Sequence, residues 1–154
     1  MSDEKMPLIF ATDPGCIFCQ IAGHRVEAAI VHEDGDIVVF LDRWPVREGH
    51  CQIITKQHYS CFDDLPEHLS AKIIHFAQKL AKKMKLLYKI DRVAFAFSGN
   101  DVAHVHAHVF PMYQRGDLTS ARYFENADEI RYNDARLKVD LNNLEAVRQK
   151  LEFK

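Results

Sequence analysis

The most regular hydrophobic pattern runs through Leu69, Ile73, Phe76, Ala77, Leu80, Met84 and Leu87, which recur three or four positions apart. That spacing stacks them on one face of a helix, predicted over residues 66–87. Asp64-Leu65-Pro66-Glu67 in front of it offers a cap, an early proline and a glutamate three residues on. Lys72, Lys79, Lys82, Lys83 and Lys85 fall on the other face and read as a solvated surface rather than a binding stripe. Ile74 and Leu86 lie beside the main stripe and leave more apolar surface than a sheet would cover, which marks an interface. Ahead of this helix, runs from Ala28 to His32 and Asp36 to Leu41 flank an Asp-Gly turn signal and predict a hairpin. Cys51–Thr55, Arg92–Ser98 and Ala103–Phe110 predict three more strands. After a polar tail from Glu125, Leu144, Val147 and Leu151 predict a short helix beginning after Asn142 or Asn143. The fold class is therefore α+β, an antiparallel sheet with helix on one side.

Within the last predicted strand, His104, His106 and His108 alternate with Val105, Ala107 and Val109. A strand sends alternate side chains to opposite faces, so the three imidazoles line one wall while the apolar residues pack behind it. An imidazole with an ordinary pKa of about 6.5 serves near neutrality as nucleophile, proton donor or metal ligand. A terminal tag or a surface metal-binding run is the competing reading, but it would lack the interleaved apolar residues. The middle histidine, flanked on both sides, is the best placed to attack an α-phosphorus and hold a nucleotidyl group covalently. His108 would then contact phosphate oxygens or the leaving group, with a packed strand residue as its alternative.

At 154 residues the chain suits one domain with a real core. A formal charge of −2 with no basic block argues against a nucleic-acid footprint. No apolar window is long enough to span a bilayer, and the N-terminus lacks a signal-peptide pattern, so a soluble cytoplasmic protein with a small-molecule partner is expected. The four cysteines, Cys16, Cys19, Cys51 and Cys61, are too few and too unevenly placed for a disulfide scaffold. Cys16 and Cys19 form a Cys-x-x-Cys hook, which suits a tetrahedral zinc if two further ligands arrive from elsewhere. A thioredoxin-like redox pair is the alternative, and it needs a βαβ context that the pattern does not supply.

The histidine run followed by Phe110-Pro111 resembles the histidine triad (HIT) family of nucleotide-binding hydrolases and transferases. Cys16-Ile17-Phe18-Cys19-Gln20-Ile21, Phe40-Leu41-Asp42, Pro45, Gly49-His50 and Lys56-Gln57-His58 are similar to that family's earlier landmarks, in the same order. The resemblance covers about residues 14–117 and leaves 118–154 as a C-terminal extension of a single HIT-like domain spanning 1–154. It implies a five-stranded antiparallel sheet with one long helix, here joined by the short C-terminal helix, and commonly a two-fold dimer.

The resemblance also implies roles. His106 would be the nucleophile and His50 the upstream histidine facing the phosphates, a satisfied surface histidine being the alternative. Phe18 and Phe40 would wall a base, with core packing as the competing reading, and Asp42 would accept hydrogen bonds from ribose hydroxyls. Asn100 stands where many members carry a glutamine, one methylene longer, and could donate to a phosphate oxygen. His58 and His104 would complete a closed zinc site with Cys16 and Cys19, structural because no position stays open for water. The expected activity is hydrolysis or transfer at the α-phosphate of AMP-type substrates, either nucleoside phosphoramidates or dinucleoside polyphosphates. The alternative is a purine-nucleotide-binding adaptor or regulator with little turnover. The expected partners are thus a purine nucleotide and a second copy of the chain.

Overall fold

The computed structural model describes residues 12–97, 101–113 and 139–153. Five strands, β1 (Ile30–Glu33), β2 (Ile37–Leu41), β3 (Cys51–Thr55), β4 (Arg92–Phe97) and β5 (His106–Met112), form one sheet in the order β1-β2-β3-β5-β4. Every neighbouring pair is antiparallel. Helices α1 (Ile17–Ala22), α2 (Glu67–Tyr88) and α3 (Leu141–Leu151) complete the described structure.

Both faces of the sheet centre are covered, which explains why β2 reads as an unbroken apolar run instead of an alternating one. Ile37, Val39 and Leu41 join Ile73, Leu80 and Met84 of α2 and Leu144, Val147 and Leu151 of α3 in the larger core. Val38 and Phe40 point the other way, into a smaller cluster with Cys16, Phe18, Cys19, Ile21 and Ile54. In the last strand the same alternation sends Val105, Ala107 and Val109 into the larger core. His106 and His108 are thereby left for the face that carries α1.

Several predicted elements need adjustment. Both hairpin strands begin later than expected; in the second, the Asp34 carboxylate accepts from the Asp36 and Ile37 amides at 2.8 and 3.1 Å and draws Asp36 into the turn. Helix α2 has no side-chain cap; Pro66 stands at the capping position and Asp64 belongs to a preceding 3-10 turn, Phe62–Asp64. Its apolar stripe ends on Tyr88, four residues after Met84, so Leu87 turns outward at 37% exposure. Helix α3 starts at Leu141, earlier than expected, because the Asp140 carboxylate captures the amides of both Asn142 and Asn143.

Two of the five lysines assigned to the solvated face also have fixed partners. Lys72 pairs with Asp34 and Asp36, and Lys83 donates to the Glu152 carbonyl beneath the Phe153 ring. The chain leading into α3 is pinned as well, since the Val139 amide donates to the Arg43 carbonyl at 3.0 Å. Among the described residues no helix is long and apolar enough to cross a membrane.

Candidate functional site

Strand β5 begins at His106, so the expectation that all three histidines share one strand is corrected. His104 lies in the irregular segment before it, held there because the Val105 amide donates to the Tyr59 carbonyl at 2.7 Å. The Nδ1–H of His106 donates to the carbonyl of His104 at 2.6 Å. This fixes the tautomer and leaves Nε2 with a bare lone pair, the form required of a nucleophile. Phe18, carried in by α1, packs against the His106 ring with centroids 5.0 Å apart and against Phe40 at 5.9 Å.

His108 faces a second fixed imidazole. The Val46 amide donates to His50 Nδ1 at 3.1 Å, so the hydrogen of neutral His50 sits on Nε2 and is directed at His108 Nδ1, 2.9 Å away. His108 consequently presents Nε2–H as a donor. Burial pushes the pKa of His50 down to about 4, against the pull of the Asp42 carboxylate 3.7 Å away. Burial, aided by His106, also lowers that of His108 against the opposing pull of Asp42 and Asp101. Both rings are therefore neutral at pH 7.

Asp42 is held at the far end of this network. Its Oδ1 accepts from the Trp44 amide at 2.8 Å and its Oδ2 from Gln52 Nε2 at 2.7 Å. Asp42 and His50 also border a cavity of about 470 Å³ that is lined as well by Asn143, Leu144, Val147 and Lys150 of α3. Asn100 lies outside the described residues.

Among the described residues, two groups of side chains bring metal-ligand atoms within 4.8 Å of one another: Cys16, Cys19, His58 and His104, and Asp42, His50 and His108. They differ in where their lone pairs point. His104 Nε2–H donates to the Thr55 carbonyl at 2.9 Å, which leaves Nδ1 bare toward Cys16 Sγ at 3.4 Å and Cys19 Sγ at 3.5 Å. His58 Nδ1 lies 3.3 Å from Cys19 Sγ. A tetrahedral zinc with Zn–S of about 2.3 Å and Zn–N of about 2.0 Å has S···N edges of about 3.5 Å, so these four residues fit that ion. Burial pushes the Cys19 thiol up and the His104 imidazole down to about 4, so the histidine is supplied neutral as a metal requires. In the second group the His50 Nδ1 lone pair is already taken by the Val46 amide and its Nε2–H is directed at His108, so His50 has no lone pair left for an ion and this trio is wired as a hydrogen-bond relay.

The sequence pattern passed over three parts of this site. Helix α1 is too short to show periodicity. The backbone groups of Thr55, Val46 and His104 that set the tautomers have no sequence signature. Gln52 did carry a signal, being the polar residue inside the otherwise apolar or β-branched strand Cys51–Thr55.

The chain is similar in sequence and fold to known proteins. An uncharacterised HIT-like protein from Methanocaldococcus jannaschii is 32% identical over 118 residues, covering 73% of this chain and 92% of that one. An adenosine 5'-monophosphoramidase from Saccharomyces cerevisiae is 32% identical over 112 residues, covering 72% of this chain and 71% of that one. The crystal structure of a zinc-bound histidine triad family protein from Mycobacterium smegmatis superposes with a TM-score of 0.64 at 26% identity, covering 89% of this chain and 95% of that one. The HIT domain profile itself matches residues 24–115, from the approach to β1 through the end of β5. The chain belongs to the HIT domain family.

Proposed function

We propose that the protein cleaves the bond between the α-phosphate of an AMP-type nucleotide and its leaving group, through a nucleotidyl intermediate on His106. The observation that carries this reading is the hydrogen bond from His106 Nδ1 to the His104 carbonyl, which leaves Nε2 bare beside the donor Nε2–H of His108. Nε2 attacks phosphorus while the bond to the amine or phosphate leaving group breaks, and that group departs with the electron pair and takes up a proton from solvent. His108 hydrogen-bonds the phosphate oxygens or the departing group as charge develops. Water then attacks the same phosphorus, releasing AMP and restoring the imidazole. His50 keeps His108 in its productive tautomer, Asp42 takes the ribose hydroxyls, Phe18 and Phe40 wall the base, and Asn100 donates to a phosphate oxygen. The similarity to the yeast phosphoramidase supports an AMP conjugate as substrate.

Cys16, Cys19, His58 and His104 would hold a zinc whose contribution is structural, tying α1 to the segment that presents the His104 carbonyl. We further assign the whole chain to a single domain acting in the cytoplasm as a homodimer. Ile74 and Leu86 of α2 stand 45% and 83% exposed, and Phe95 of the edge strand β4 41% exposed, as a self-complementary two-fold contact would require.

The test is parallel incubation with an AMP phosphoramidate and a diadenosine polyphosphate, measuring AMP release from each. Release is expected from at least one, and His106→Asn is expected to abolish it while leaving AMP affinity within about threefold. Tight AMP binding with no turnover of either compound would replace this reading with that of a nucleotide-binding adaptor.

A further inference from the structure

Gln52 is wired into the site by one end only. Its Nε2 donates to Asp42 Oδ2 at 2.7 Å, while its Oε1 is buried with no hydrogen-bond partner among the described residues. The amide cannot gain by turning over, because that would set Oε1 against the Asp42 carboxylate and leave the Nε2 hydrogens unpaired. Buried acceptors without donors are rare in folded proteins, and each one calls for a partner or a role. The sheet register places Gln52 directly opposite Phe40 on β2 and His108 on β5, so its side chain stands between the residues assigned to the nucleoside and to the phosphate.

We infer that Gln52 Oε1 accepts a hydrogen bond from a ribose hydroxyl of the bound nucleotide, making Gln52 a specificity-determining residue that selects ribonucleotides. The inference rests on the nucleotide reading above and extends it. Asp42 retains lone pairs after accepting from Trp44 and Gln52, so the carboxylate and the amide oxygen together offer acceptors to both members of a vicinal diol. A 2'- or 3'-deoxynucleotide would leave one of these buried acceptors empty and bind more weakly for that reason.

The experiment compares dissociation constants of AMP, 2'-deoxy-AMP and 3'-deoxy-AMP by titration calorimetry for the wild type, Gln52→Met, Asp42→Asn and the double variant. The wild type is expected to bind at least one deoxy analogue about tenfold more weakly than AMP, and Gln52→Met is expected to remove most of that difference. The effect of Gln52→Met should persist in the Asp42→Asn background, because the contact is made by the amide oxygen itself. An unchanged deoxy discrimination in Gln52→Met overturns the inference. So does an effect that vanishes with Asp42→Asn, since Gln52 would then act solely by orienting the carboxylate. Near-native circular dichroism and melting of Gln52→Met establish that any loss is local, and an unfolded variant is replaced by Gln52→Leu. Failure of the wild type to bind AMP at all would overturn the nucleotide reading together with this one, whereas AMP binding without ribose discrimination overturns this one alone.

Discussion

At the scale of single residues, the chemistry of the site lies in which nitrogen carries the hydrogen. The alternation of His106 and His108 with Ala107 and Val109 could be read from the sequence because a strand enforces it. The tautomers could not, because they are set by carbonyls and amides that every residue possesses. His50 shows what such a placement costs. Its imidazole titrates at about 4 in the folded protein, because burial disfavours the cation, and at about 6.5 when unfolded. The unfolded chain thus gains a proton that the folded one refuses. The associated stability is complete above pH 6.5 and drains away as the pH falls toward 4, by on the order of 2–3 kcal/mol. Denaturant midpoints measured at pH 7 and pH 5 should separate more in the wild type than in His50→Gln, which lacks the group. Equal separations would show that His50 titrates normally. A second residue, Gly49, holds φ at +88°, and a methyl group there would sit 2.6 Å from the Tyr88 hydroxyl. Gly49→Ala should therefore destabilise the 42–50 loop by more than about 1 kcal/mol, and it should weaken AMP binding by displacing His50.

Among the elements, α2 was the plainest in the sequence, since 22 residues of 3.6-fold periodicity leave little room for another structure. Its boundary is harder to read, because Pro66 and the 3-10 turn stand where the sequence offers Asp64 as a cap. Helix α1, six residues long, was invisible to periodicity and exists through tertiary packing of Phe18, Cys19 and Ile21. Helix α3 shows how a polar side chain can move a boundary. Asp140 accepts from two helix amides, whereas Asn142 and Asn143 are exposed. Asp140→Ala should cost about 1 kcal/mol, or roughly 2–4 °C in the melting temperature, while Asn142→Ala should be nearly neutral. Thermal melts at fixed zinc concentration would reveal the contrast. A larger effect at Asn142 would place the cap where the sequence pattern first put it.

For the whole molecule, the segments are held by two kinds of clasp, apolar and metallic. The apolar one seats α3 through Leu144, Val147 and Leu151, and the metallic one would close around Cys16, Cys19, His58 and His104. Purified protein is expected to carry about one zinc per chain, and stripping it with a chelator should lower the melting temperature and slow AMP release together. Elemental analysis without zinc, alongside free alkylation of Cys16 and Cys19, would remove the metallic clasp. The apolar surface of Ile74, Leu86 and Phe95 predicts a dimer by sedimentation at micromolar concentration, which Ile74→Glu should convert to monomer. A wild-type monomer would leave those residues without a covering partner.

The same four-residue cluster has a consequence during synthesis. His104 follows Cys19 by 85 residues. At ribosomal speeds of about 5–20 residues per second, the two thiols precede their last ligand by roughly 4–17 s. Through that interval the nascent chain exposes a two-sulfur chelator with no imidazole from the triad to close it. The carbonyl that sets the His106 tautomer arrives on that same residue, so a half-made chain has neither the complete four-residue cluster nor the oriented imidazole.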